Sequence, residues 1–102
     1  MLVELICRAW PEQMAKAVAV ATCESDLGRH PDTYRVDKPH GGPFQLARVW
    51  GADGDGWERY FWQKYGWTWE QVVADVIIHV AAAREVYDRA GSWLPWPWCG
   101  LD

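Results

Sequence analysis

The sequence predicts an all-α fold, a small helical domain carrying one long irregular loop. Three observations predict it. Apolar residues recur at helical spacing over residues 14–24 and again over 72–87, no stretch alternates in the manner of a half-buried strand, and Pro and Gly gather between and after the periodic stretches. At 102 residues the chain is one domain's worth of sequence, taken as a single unit over 1–102, and it is too short for two independent cores. Half of it (50%) is apolar and 15% aromatic, enough to bury a core and too much for a disordered chain.

The elements follow in order. A short helix precedes Pro11. A helix starts at Pro11, where a missing N–H is harmless and Glu12 favours the first turn, and Met14, Ala17, Val18 and Ala21 carry it to about Glu24. Residues 26–44 hold three Pro, three Gly and three Asp without periodicity, and loops of this length in small domains are usually functional. Residues 45–50 read as a short helix, and 51–56 as a turn in which Asp55 caps the next element. That element, 57–65, is a helix stopped by Gly66. Thr68 and Gln71 form a capping-box pattern, after which Val72, Val73, Val76, Ile77, Val80, Arg84 and Tyr87 mark one face of a long helix ended by Gly91. The tail, SWLPWPWCGLD, is too rich in Pro for a helix and is expected to cross the domain as an extended strap.

Ten Lys plus Arg against fourteen Asp plus Glu leave a net charge of −4, the wrong sign for gripping phosphate backbones, so no nucleic-acid partner is expected. The apolar run at 72–83 is broken by Asp75 and His79 and is too short to span a bilayer, so no membrane insertion is expected either. The first residues, MLVELICRAW, lack the basic start and long apolar run of a secretory signal. None of the three cysteines, Cys7, Cys23 and Cys99, has the spacing of a zinc or redox motif. Their number is compatible with one disulfide plus a spare thiol, or with three buried thiols. His30, His40 and His79 show no ligand spacing, and the first two are expected in solvent; Asp53-Gly54-Asp55-Gly56 lacks the acid that a calcium loop needs at its end, where Lys64 stands. No metal and no cofactor are expected.

Nine Trp in so short a chain fit two readings, large side chains filling a small core, or indole rings stacking on sugars. Glu24 is the residue with the clearest chemistry. It ends the central helix and projects within about 60° of Ala17, Val20 and Ala21, all small and apolar. A carboxyl against such a wall is desolvated, which raises its pKa and lets it keep a proton for general-acid work near neutrality; a solvated Glu at a helix end is the plainer alternative.

Three segments, Ala21-Thr22-Cys23-Glu24-Ser25, Gly41-Gly42-Pro43-Phe44-Gln45-Leu46 and Trp96-Pro97-Trp98-Cys99-Gly100, resemble in order and spacing the landmarks of the lysozyme-like superfamily of lytic transglycosylases, resuscitation-promoting factors and goose-type lysozymes. The resemblance covers residues 10–100. It implies a lysozyme-like helical domain in which Glu24 is the catalytic acid, Ser25, Gly42 and Gln45 lie on the substrate groove, and Phe44 lines the cleft. His79 falls about where the family's later-helix Asn would stand and is carried as a substrate-binding position. The Cys before the Glu and the Trp-Pro-x-Cys-Gly ending are features of resuscitation-promoting factors and imply a Cys23–Cys99 disulfide. Asp37 follows Glu24 by thirteen residues, a separation similar to that of a water-positioning Asp in goose-type lysozymes, and is the candidate second catalytic carboxylate, with Asp32 behind it. Tyr34, from its place in the long loop, is expected to border the groove. The Ala-Tyr-Asn motif of larger transglycosylases has no counterpart here.

The resemblance implies a monomeric muramidase whose partner is bacterial cell-wall peptidoglycan, cutting between N-acetylmuramic acid and N-acetylglucosamine by hydrolysis or by anhydro-forming transglycosylation. It would act in the bacterial envelope or outside the cell, and its size suits a phage-encoded enzyme. The rival is a noncatalytic wall-binding or virion structural module.

Overall fold

The computed structural model describes residues 1–101 as five helices, a two-stranded hairpin and a string of turns. The first helix, α1 (Leu2–Ala9), ends as the Trp10 N–H bonds the Ile6 carbonyl. A tight turn follows, closed by the Gln13 N–H on the Trp10 carbonyl at 3.0 Å, so the second helix, α2 (Met14–Ser25), begins three residues later than Pro11 would suggest. Trp10 is fully buried, and the turn is what lets the chain reverse without exposing it.

After the long loop the chain forms β1 (His40–Gly41) and β2 (Leu46–Ala47), paired antiparallel with His40 opposite Ala47. This replaces the helix expected over 45–50. The reason is local: Gly42 at φ +79° and Gln45 at φ +52° turn the backbone back on itself, and the Arg48 N–H then bonds the Pro39 carbonyl. A single 3-10 turn (Ala52–Gly54) leads to α3 (Trp57–Tyr65), whose N-cap is Gly56 without any side-chain cap, so Asp55 does not serve as one. Gly66, in the left-handed conformation, stops α3 as expected.

The long helix expected after Thr68 is two helices, α4 (Trp69–Ala74) and α5 (Val76–Ala90). The capping box of Thr68 and Gln71 is formed. Asp75 breaks the run. Its backbone is extended, and its carboxylate accepts from the N–H groups of Ile77 and Ile78, the groups a new helix start leaves open. Helix α5 ends at Gly91. The tail is a succession of turns rather than an extended strap, with Trp96 N–H on the Trp93 carbonyl and Gly100 N–H on the Trp96 carbonyl.

Packing follows from the apolar faces: α1 lies against α2 and α5, α4 against α5 and α3. The centre holds Ile6, Val20, Phe61, Val72, Val73 and Val86, all at most 2% exposed, together with Trp10 and Phe44. Trp10 stacks on Trp93 and tilts against Phe44 at ring separations of 5.4 and 5.1 Å. The tail is latched by indole hydrogen bonds, Trp93 to the Gln13 side chain at 3.0 Å and Trp96 to the Phe44 carbonyl at 2.7 Å, and by a disulfide between Cys23 and Cys99. Cys7 is a free, half-buried thiol. The nine Trp divide between the two readings: four are buried, Trp67 and Trp93 are partly covered, and Trp50, Trp62 and Trp98 are exposed. No helix among the described residues is long and apolar enough to cross a membrane.

Candidate active site

Glu24 sits in the last turn of α2. The helix is closed just after it by Asp26 in the left-handed conformation, with the Asp26 and Leu27 N–H groups on the Thr22 and Ala21 carbonyls. Ser25, 3% exposed, ties this end to the rest of the molecule. Its hydroxyl donates to the Pro43 carbonyl at 2.7 Å and accepts from the Gly28 N–H at 2.8 Å. The helix end, the start of the long loop and the Gly41–Gly42–Pro43 turn therefore meet at one hydroxyl.

The turn is held from behind by His79 on α5. The imidazole is fully buried, donates from Nδ1 to the Val72 carbonyl at 2.9 Å and accepts at Nε2 from the Phe44 N–H at 2.9 Å. With both nitrogens engaged the ring is neutral, and burial pushes its pKa down to about 4. Gly42 is required beneath it: a Cβ there would lie 2.2 Å from the ring.

These supports leave a cleft of about 390 Å³ between the end of α2, the long loop and the hairpin, lined by Glu24, Ser25, His30, Asp32, Lys38, Pro39, His40 and Gln45. Glu24 makes no hydrogen bond or ion pair with another described residue, and burial alone raises its pKa to about 7. Gln45, half-buried, donates from its amide to the Gly42 carbonyl at 2.9 Å, which fixes the side chain at the cleft. His30, an exposed ring, accepts the Asp32 N–H at Nδ1, 3.2 Å away. His40 leans on Trp50 with ring centres 5.5 Å apart.

Of the residues singled out from sequence, Glu24, Ser25 and Gln45 come together here. Asp37 does not. It is exposed and clamped by Arg35, at 3.0 and 2.6 Å, which holds its carboxyl below the usual range and outside the cleft wall. Arg35 also reaches Asp32 at 3.5 Å, and Asp32 is the carboxylate that lines the cleft with Glu24. Phe44 and His79 are wholly buried, so their side chains support the turn and do not meet a ligand; Gly42 is buried with them. Tyr34 lies outside the cleft, its hydroxyl over Gly28. Sequence reasoning missed Lys38, Pro39, His30 and His40 as cleft residues. Their signal was the polar, Pro-punctuated run leading into Gly41-Gly42; of the two histidines expected in solvent, His30 is exposed at the cleft and His40 is half-buried in it.

No cluster of three or more His, Cys, Asp or Glu among the described residues is arranged to hold a metal ion. The arrangement can present a protonated carboxylic acid, near neutral pH, to a ligand the size of a sugar ring in a polar cleft. Comparisons with protein-family models, with curated proteins and with solved structures found no match.

Proposed function

We propose that this chain is a peptidoglycan-cleaving muramidase, acting on the bond between N-acetylmuramic acid and N-acetylglucosamine with Glu24 as general acid. One observation carries the reading: a carboxyl with no partner among the described residues, its pKa raised to about 7 by burial, stands in a cleft of about 390 Å³. The sequence landmarks described above supply the substrate class.

In this reading Glu24 gives its proton to the glycosidic oxygen as the C–O bond breaks, and positive charge develops on the sugar left behind. The resulting Glu24 carboxylate then removes a proton from whatever attacks that sugar. If water attacks, the product is a reducing sugar; if the sugar's own C6 hydroxyl attacks, with its N-acetyl group assisting, the product is an anhydro-sugar lighter by one water. With Asp37 turned to solvent, the role proposed for Asp32, which lines the cleft with Glu24, is to orient the attacking water while Glu24 takes its proton.

Glu24→Gln tests the reading. It removes the transferable proton at nearly constant shape, so turbidity clearing of wall suspensions should fall by at least about a hundredfold, while the variant still pellets with walls. Pelleting without clearing by the unaltered protein would indicate a noncatalytic wall-binding module, and no wall affinity would indicate a structural one. Mass spectrometry of the released muropeptides separates the two products.

A further inference from the structure

The cleft carries one lysine, Lys38, that makes no ion pair with any described carboxylate. In a chain of net charge −4 this is unusual, and its cause is local. Arg35 stands between Asp32 and Asp37 and pairs with both, at 3.5 and 2.6 Å. That engagement satisfies the two acids nearest in sequence. Lys38, half-buried in the cleft wall, makes no hydrogen bond or ion pair with any described residue, although it is near enough to Asp37 to contribute weakly to that group's lowered pKa. The same cleft holds His30 and His40 and two carboxyls, Asp32, which Arg35 engages at 3.5 Å, and Glu24, which burial holds protonated up to about pH 7.

The geometry points to a carboxylate subsite at Lys38, which takes the acid group carried by the muramoyl unit and absent from N-acetylglucosamine. This rests on the muramidase reading and deepens it, because it says how such a cleft tells peptidoglycan from chitin, whose backbone is otherwise alike and uncharged. The carboxylate has two possible sources, the lactyl group of a peptide-free muramoyl residue or the stem peptide attached to it. A partly desolvated ammonium binds either through a charge-assisted hydrogen bond.

The test is a set of dissociation constants measured in the Glu24→Gln background, so that nothing is consumed. The probes are native peptidoglycan fragments, glycan strands stripped of peptide, and chitin oligosaccharides. Lys38→Gln should weaken binding of the muramoyl-containing probes about tenfold, the loss of one charge-assisted contact, and leave chitin oligosaccharides unaffected. Lys38→Arg should restore most of the affinity, and unchanged thermal midpoints establish that the variants are folded. A loss confined to stripped strands assigns the lactyl carboxylate, which an attached peptide converts to an amide; one confined to native fragments assigns the stem peptide, and a loss on both shows that Lys38 takes either carboxylate. Equal losses on all three probes, or none, overturn the subsite. If walls are cleared while Lys38→Gln binds normally, only the subsite falls; if the background variant binds none of the probes and the unaltered protein clears no walls, the muramidase reading falls with it.

Discussion

Ser25 shows how a polar residue beside a candidate catalytic acid acts without touching substrate. Its hydroxyl bridges the Pro43 carbonyl and the Gly28 N–H, so Ser25→Ala leaves a buried acceptor and a half-buried donor without this partner and frees the turn that carries Gln45. The expected loss is about 1–3 kcal/mol of stability, read by denaturant unfolding, with reduced wall clearing but an unchanged pH profile. The profile belongs to Glu24. A general acid must be protonated, so clearing should hold below about pH 7 and fall tenfold per unit above it. A profile that instead fell near the ordinary carboxylate pKa would mean that Glu24 is solvated and would remove the basis for its role. Helix periodicity singled out Glu24 and the motif resemblance Ser25 and Gln45, and all three line the cleft because each is adjacent to a turn that builds it. Neither was enough for Asp37, Phe44 and His79. Asp32 and Asp37 both pair with Arg35, and which of them meets the cleft is set by the path of a loop without periodicity; whether an aromatic or imidazole ring faces a ligand or the core depends on neighbours far along the chain.

Among the elements, the helices were legible wherever a periodic apolar face met a cap, as at Thr68, Gly66 and Gly91. The break at Asp75 was not, because Val72, Val73, Val76 and Val80 keep helical spacing straight through it. Asp75 looks like one more solvated residue until its carboxylate is seen on the N–H groups of Ile77 and Ile78. Asp75→Ala should therefore destabilise by about 1 kcal/mol, within the range for a lost N-cap; a neutral result in chemical denaturation would show that α4 and α5 tolerate an uncapped junction. The hairpin left no trace in the pattern, since two residues per strand are too few to alternate. It matters because its rim carries Trp50, 59% exposed and leaning on the cleft residue His40. If the cleft binds glycan, Trp50→Ala should weaken binding about three- to tenfold, the worth of one aromatic stacking contact, with no change in melting temperature. The tail is the element most dependent on a covalent link: Cys23 and Cys99 are 76 residues apart, and closing so long a loop is worth about 4 kcal/mol as an upper estimate. Its removal, by changing both cysteines to Ser, should loosen the Trp93 and Trp96 latches and lower the melting temperature by more than ten degrees or so.

At the scale of the whole molecule, the acid in the cleft and the imidazole behind it act oppositely on stability. Glu24 has its pKa raised from 4.5 to about 7, so between those values the folded chain keeps a proton the unfolded chain has released, and stability falls as pH rises. His79 has its pKa lowered from 6.5 to about 4, so over that interval the unfolded chain holds the extra proton, and stability falls as pH drops. Where the two intervals overlap, from 4.5 to 6.5, the proton differences cancel. Each effect alone has a ceiling of about 3 kcal/mol, reduced by whatever solvent reaches the group, and the exposed pairs such as Arg29–Asp26 add little because water and salt screen them. The domain is thus expected to show a broad plateau of stability across the acid range, built from two unfavourable burials of opposite sign. Glu24→Gln removes one of them. Its melting temperature should exceed that of the unaltered protein above about pH 7, the difference should vanish toward pH 4.5, and the variant alone should gain stability steadily up to about pH 6.5 as the His79 contribution is uncovered. Parallel melting curves across that range would mean that the Glu24 carboxyl is as wet in the folded chain as in the unfolded one, and a wet carboxyl holds no proton at neutral pH to give to a glycosidic oxygen.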